Sequence, residues 1–390
     1  MFSERTNWKL TPNQYTQTLE RMRASGEPMI DLTISNPTQS GLRYDTAAIL
    51  SAFQNPKALE YEPEAKGLLA ARKEVARYYQ HDHGATVAAE SLLLTTSTSE
   101  AYSYVFRLLC NGNDEILVPK PSYPLFEFLA DLQDVRLVPY SLQYAHGWLI
   151  DFQSVAQALT PRTRAILLVH PNNPTGSYVK SEELGHLNEL CRQHNLALVV
   201  DEVFLDYSLG SRAPQSFVAN SDALTFTLSG LSKIAALPQM KVAWLATTGP
   251  ESLVRPALDR LEVIADTYLS LSSPVQWAFS QLLEQRRTLQ PQIMERIREN
   301  WTRLKAAVRG RSDCEVLETE GGWYAVLQIA NARAESFAIE LMQKARVIVH
   351  PGHFYDFAGD QYLVVSLISA PDQFQRGISA LVGHLGRSAE

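Results

Sequence analysis

The sequence predicts an α/β protein built around a mainly parallel sheet. Short runs of consecutive aliphatic residues recur through the middle of the chain, such as Ala165-Ile166-Leu167-Leu168-Val169 and Ala197-Leu198-Val199-Val200. A run without polar alternation is how a strand covered on both faces reads. Between these runs lie segments with apolar residues at helical spacing, and strand alternating with helix is the signature of an α/β layer architecture. Past Pro256 the pattern changes to long, charge-rich helical stretches followed by scattered short strands. That change predicts a second, smaller α+β unit.

Each element has its own signal. Strands are expected at 92–95, 115–118, 136–140, 165–169, 197–200, 223–228 and 242–246. After Ser99, the residues Ala101, Tyr104, Val105, Leu108 and Leu109 fall at i, i+3, i+4, i+7 and i+8, one apolar helical face. Ser181 precedes Glu182 and Glu183 and is expected to cap a helix carrying Leu184, Leu187 and Cys191 on one side. The stretch 258–304 reads as helix, with Pro274 and Pro291 as breaks. Strands at 315–317, 323–327 and 362–367 and helices at 334–344 and 371–385 complete the chain. The first 45 residues or so are expected to pack onto the smaller unit. The expected division is a large domain over 46–285 and a small one made of 1–45 and 286–390.

The 390 residues suffice for about two domains. A charged content of 20% is that of an ordinary globular protein, and a net charge of -7 without any Lys/Arg run argues against nucleic acid as a partner. Cys110, Cys191 and Cys314 are odd in number and far apart, so neither a disulfide framework nor a metal site is expected. No apolar run approaches ~18 residues and the N-terminus has no signal-peptide pattern, so no membrane span and a cytoplasmic location are expected.

The chemistry begins with one lysine. Lys233, in Ser229-Gly230-Leu231-Ser232-Lys233, directly follows the apolar run ending at Leu228. Another run, ending at Val200, is followed at once by Asp201 and Glu202. An amine and an acid, each just past a strand, suggest a nucleophile and a charge partner at one sheet edge. A pyridoxal phosphate (PLP) site needs that pair, a lysine for the Schiff base and an acid for the pyridine nitrogen.

Four motifs in order strengthen this reading. The lysine segment, His170-Pro171-Asn172-Asn173-Pro174-Thr175-Gly176, Val200-Asp201-Glu202-Val203 and the spacing Tyr61, Gly67, Arg72 together resemble the class I/II aminotransferases, which are fold-type I PLP enzymes. The resemblance runs from about Asp31 to Ser366. It implies that Lys233 forms the Schiff base and shuttles the substrate α-proton, that Asp201 holds the pyridine nitrogen, and that Asn173 meets the ring oxygen. Tyr123 resembles the aromatic residue that stacks on the ring. Ser97 and Thr98, at a strand-to-helix junction, together with Ser229, Ser232 and Lys241, are expected at the phosphate, a helix N-terminus being a natural anion site. Tyr61 resembles the tyrosine that reaches the phosphate of a neighbouring subunit, which implies a homodimer with shared sites.

The pattern departs from the family at three positions. Phe204 stands where a tyrosine usually meets the ring oxygen; Tyr207 is nearby in sequence but elsewhere in the pattern. Lys241 stands where an arginine usually binds phosphate, replacing a planar fork with a point charge. Val364 stands where an arginine usually clamps the substrate carboxylate. Asn36, Arg43, His350 and His353 are the candidates to contact substrate instead. The expected function is an aminotransferase acting on an amino donor and a 2-oxo acid. The alternative, motivated by Val364, is a PLP-dependent lyase, decarboxylase or amine-specific transaminase.

Overall fold

In the computed structural model, which describes residues 1–210, 214–330 and 333–388, the aliphatic runs become the centre of a large sheet. The short strand β1 (Ile30–Asp31) precedes it. The sheet itself comprises β2 (Leu92–Thr95), β3 (Glu115–Lys120), β4 (Arg136–Tyr144), β5 (Trp148–Ile150), β6 (Thr163–Val169), β7 (Ala197–Asp201), β8 (Thr225–Gly230) and β9 (Ala243–Thr248). Their spatial order is β2-β9-β8-β7-β6-β3-β4-β5. The central pairs, from β8 through β7, β6 and β3 to β4, are parallel.

Alternate residues of the runs enter different layers. Leu167 and Val199 pack with Val105 and Phe106 on one side, while Ile166, Leu168, Leu198 and Val200 pack with Leu187 and Cys191 on the other. Both faces are therefore apolar, and each fully buried Val, Leu or Ile contributes roughly 1.5–3 kcal/mol. The helix Thr98–Leu109 supplies the first layer through the face read from the sequence, and Ser181–His194 supplies the second.

The smaller sheet contains β10 (Cys314–Val316), β11 (Tyr324–Ile329), β13 (His350–Pro351) and β14 (Tyr362–Ser366) in the order β10-β11-β14-β13, all antiparallel. Between them, β12 (Val347–Ile348) pairs in parallel with β1. Through that pair, and through the Tyr15 hydroxyl donating to the Val349 carbonyl at 2.9 Å, the N-terminal arm joins the smaller unit. Tyr15 and Leu32 belong to its core.

Two local expectations need correction, and a third element shows a direction the sequence does not give. The helix Ser181–His194 is capped from Lys180, not Ser181. The buried Glu183 carboxylate reaches back to the Lys180 N–H and also takes the Ile150 N–H, each at 2.7 Å, so it ties the helix start to β5. Pro291 does not break the helix Arg286–Val308. It lies in the second turn, where its missing N–H costs one bond near the end of the helix rather than in its middle. The strand expected at 242–246 is present as β9 but runs antiparallel to both neighbours, β2 and β8; a buried apolar run carries no information about strand direction.

Candidate functional site

Parallel strands deliver their C-terminal ends to one edge, and ligands of open α/β sheets bind at that edge. Asp201 is the last residue of β7, Gly230 the last of β8, and β6 ends at Val169 just before the His170–Gly176 loop. β2 lies parallel to β8, since each is antiparallel to β9, so Thr96, Ser97 and Thr98 leave from the same edge. Register thereby gathers Lys233, Asp201, Asn173, Tyr123 and the junction at Ser97. Gly230 is required where the two chains converge: a Cβ there would lie 2.9 Å from the Ala243 Cα and from the Val242 carbonyl oxygen.

Lys233 rides on the single-turn helix Leu231–Ile234. Its Nζ donates to the Ser35 carbonyl at 3.4 Å and lies 4.9 Å from the Trp323 ring centre and 5.6 Å from that of Phe204. Burial against these rings lowers its pKa to about 8, opposed by the negative charge of Asp201. Asp201 is buried. Desolvation raises its pKa to about 6, against the pull of hydrogen bonds from the Val203 N–H and the Tyr102 hydroxyl, both at 3.0 Å, and of the Lys233 charge. The result is an acid–amine pair, Asp201 buried and Lys233 partly covered, both shifted toward their neutral forms by loss of water.

The loop after β6 uses its two asparagines differently. Asn172 donates to the Pro121 carbonyl at 3.1 Å and to Thr175 Oγ1 at 2.9 Å, and accepts from the Ser122 hydroxyl at 3.3 Å. It stitches this loop to the one carrying Tyr123. Asn173 is 7% exposed, and its Oδ1 is buried without a hydrogen-bond partner. An unmet buried polar atom is uncommon and costs about 1–3 kcal/mol. His170 is structural: it accepts from the Val179 N–H through Nδ1 at 3.1 Å and reaches the Gln215 carbonyl through Nε2 at 3.2 Å.

At the Ser97 junction, Ser97 caps the helix by accepting from the Glu100 N–H at 3.2 Å. The Glu100 carboxylate takes the Thr96 N–H at 2.7 Å. The first-turn N–H groups of Thr98 and Ser99 have no carbonyl a turn below them and no hydrogen-bond partner among the described residues, as an anion site requires. Ser229 is fully buried and its hydroxyl donates to the Glu202 carbonyl at 3.4 Å, while Ser232 is only partly covered. Lys241 is exposed, holds a φ of +54°, and makes no ion pair among the described residues. Tyr123 is 42% exposed and edge-on to Phe126.

The remaining candidates separate. Asn36 follows Ser35, the residue touching Lys233, but its Oδ1 is engaged by the Thr38 N–H and hydroxyl at 3.1 and 2.8 Å. Arg43 is exposed, and its recorded hydrogen bonds are those of its backbone to Gln292. His353 is exposed on a turn against Phe354. Tyr61 is 80% exposed and neighbours Leu94, Ser270 and Gln276, not Lys233 of its own chain. Phe204 packs on Trp323, and the Tyr207 hydroxyl does not replace the missing phenol: it donates to the Lys233 backbone carbonyl at 2.5 Å.

Sequence reasoning missed Tyr102, Ser35, Trp323 and Tyr324. Only Tyr102 had a usable signal: it sits four residues after Thr98, one helical turn deeper from the same junction.

Residues 27–373 match the family described as aminotransferase class I and II. The chain belongs to that family. The glutamate-pyruvate aminotransferase AlaA of Escherichia coli is 30% identical over 266 residues, covering 68% of this chain and 65% of that protein. The match thus spans about two thirds of the length of this relative. The alanine aminotransferase of Mycobacterium tuberculosis is 25% identical over 380 residues, 94% of this chain and 86% of that protein. Among solved structures, the alanine aminotransferase of Pyrococcus furiosus superposes with a TM-score of 0.89 at 18% identity, covering 99% of this chain and 100% of that one. At that identity the likeness speaks for the fold, and the aminotransferase fold is what the two sheets form. The family is PLP-dependent. Among the described residues no helix is long and apolar enough to cross a membrane.

Proposed function

We propose that this aminotransferase-family chain uses PLP to move an amino group between an amino acid and a 2-oxo acid, with alanine, glutamate and pyruvate as the first substrates to test, after the names of its relatives. The observation that carries the proposal is the convergence of Lys233, Asp201 and Asn173 at one sheet edge. The residues fit the cofactor chemically. Asp201 is a buried acid lacking a full counter-charge, and two helix N–H groups and Lys241 await an anion.

Bound PLP supplies an electron sink for the bonds at the substrate α-carbon. Everything else falls to the chain. Asp201, oriented by Tyr102 and the Val203 N–H, holds negative charge where a ring nitrogen must stay protonated. Lys233, with a pKa near 8, has an appreciable neutral fraction at neutral pH and can take a proton there. Phe204 and Trp323 cover part of its amine. Thr98, Ser99, Ser97, Ser232 and Lys241 are assigned to the phosphate. Ser229 is assigned a supporting role below it, because its hydroxyl is spent on Glu202. The exposed Tyr61 is assigned to the phosphate of a second copy of the chain, in a homodimer.

For the substrate carboxylate we favour His350 over Arg43 and His353. His350 pairs directly with Val364 across β13 and β14, and Tyr324 lies on the same face of β11, opposite Ser366. Opposed residues of an antiparallel pair project to one side. The His350 Nδ1 meets the Tyr355 hydroxyl at 3.1 Å, and its Nε2 makes no hydrogen bond among the described residues. Burial lowers its pKa to about 4, opposed by Asp31, so the imidazole is neutral at neutral pH.

The test is the half-reaction. PLP-loaded protein mixed with L-alanine or L-glutamate should convert to the pyridoxamine form, and pyruvate or 2-oxoglutarate should reverse it. His350→Leu should raise KM for the amino acid about 10- to 100-fold, the loss of one hydrogen bond to a charged group, with kcat little changed. A cofactor band that no amino donor converts, while carbon dioxide or an elimination product appears, would instead support the lyase or decarboxylase reading that Val364 motivates.

A further inference from the structure

The short helix carrying Lys233 is held from behind by groups that the proposed chemistry does not use. Tyr207 donates to the Lys233 carbonyl at 2.5 Å, Tyr44 to the Ala236 carbonyl at 2.9 Å, and Gln290 Nε2 to the Ile234 carbonyl at 2.9 Å. These three side chains come from the segment after β7, the N-terminal arm and the helix Arg286–Val308 respectively. The Gln290 amide also donates to Asp206 Oδ2. The other Asp206 oxygen accepts from the Tyr78 hydroxyl at 2.9 Å and lies 2.8 Å from His83 Nε2. The His83 and Asp206 side chains are only 5% and 9% exposed. A buried ion pair costs desolvation and is weak evidence for stability as such, so its link through Gln290 to the helix that carries Lys233 calls for another account.

We infer that the His83–Asp206 pair is a positioning device for Lys233, acting through Gln290 on the helix that carries the amine. Without a partner for its Nε2, the Gln290 amide can rotate, as can any side chain with free torsions. Asp206 removes that freedom by fixing the amide on one side while the Ile234 carbonyl fixes it on the other. His83 in turn holds Asp206, supported by Tyr78, over which the Arg286 guanidinium stacks at 5.6 Å. The charged and titratable groups facing His83 are Asp206, Glu202, Asp82 and Tyr78. Asp206 and Glu202 hold the imidazole's pKa above its ordinary value against its burial. Glu202 is itself anchored elsewhere, accepting from the Ser216 hydroxyl and the Phe217 N–H at 2.7 and 2.6 Å. None of these groups touches the substrate, so His83, Asp206 and Gln290 are positioning residues.

The inference rests on Lys233 being the working amine, and its test separates the two claims. In the cofactor-free full chain, the rate of Lys233 acylation against pH, followed by peptide mass spectrometry, reads the amine's own titration. The wild-type midpoint should lie at about 8. Gln290→Leu and His83→Leu should both move it upward by roughly one unit, because a loosened helix lets water reach the amine. His83→Gln, whose amide can still donate to Asp206, should restore at least half of that shift. In the PLP-loaded protein the same two leucine variants should lower kcat about tenfold with KM held within twofold, a loss of orientation rather than of binding. Variants that lower Tm but leave the acylation midpoint unmoved would overturn the positioning role. A wild-type chain that forms no lysine-linked cofactor band would overturn the cofactor reading instead, and the acylation experiment would still decide the positioning role.

Discussion

Lys233→Ala is expected to reduce turnover by about four orders of magnitude or more, the combined loss of a covalent nucleophile and a proton carrier. No other amine replaces it. Lys241 leaves from the same sheet edge but is exposed and held at a φ of +54° in the turn after Pro238–Met240. Lys233→Arg should be equally inactive, because a guanidinium stays charged at any working pH and cannot serve as the base. Both variants should lose the lysine-linked cofactor absorbance. The alanine variant should not lose stability at neutral pH. The folded-state pKa of Lys233, about 8, lies below the free value of 10.5, so the unfolded chain binds more protons between those values and the charged amine opposes folding at pH 7. Denaturant unfolding at pH 7 beside a turnover assay checks both halves. Retained turnover in the alanine variant would remove Lys233 from the chemistry altogether.

How far the sequence could be read depended on whether a residue's placement followed from its own element. Asp201 and Lys233 follow apolar runs, and a run buried on both faces must end at a sheet edge; with parallel strands the two edges coincide. That logic needs only the local pattern. It also reaches Ser97 and Asn173, which leave from strand ends in the same way. It cannot reach Ser35, because the contact with Lys233 joins residues 198 positions apart. Nor can it reach Gln290, a polar residue in a helix whose exposed side is rich in others; Tyr102 is reached only by counting one helical turn on from Thr98. The strand direction of β9 was hidden for the reason that made the run recognisable: uniform apolarity has no polarity of direction. For Arg43, His350 and His353, sequence offered three candidates of equal standing. The register of β13 against β14 is what distinguishes them, since it sets His350 directly across from Val364.

Asp201→Asn should separate function from stability in opposite directions. Turnover should fall about 1,000-fold, because the site loses the charge assigned to the ring nitrogen, while the cofactor-free chain should become more stable at pH 7. The sign follows from the titration. Burial raises the folded-state pKa of Asp201 to about 6 from its ordinary value of 3.8. The folded chain therefore binds more protons than the unfolded one across that window, and stability falls as pH rises from ~4 to ~6, with the whole cost present above it. Roughly two pKa units correspond to about 3 kcal/mol, so a gain of about 1–3 kcal/mol is expected from the neutral amide. Asparagine can keep the geometry: its oxygen still accepts from the Val203 N–H, and the Tyr102 hydroxyl can turn to accept from its amide. Urea denaturation of the two cofactor-free chains at pH 4 and pH 7 measures this directly. The difference should be largest at pH 7 and close to nothing at pH 4. If the asparagine variant is instead less stable at pH 7, the attraction of Lys233 and the two hydrogen bonds outweighs desolvation, and Asp201 is a structural anchor. A carboxylate that weakens the fold it sits in, and whose removal weakens only the chemistry, is held in place by function.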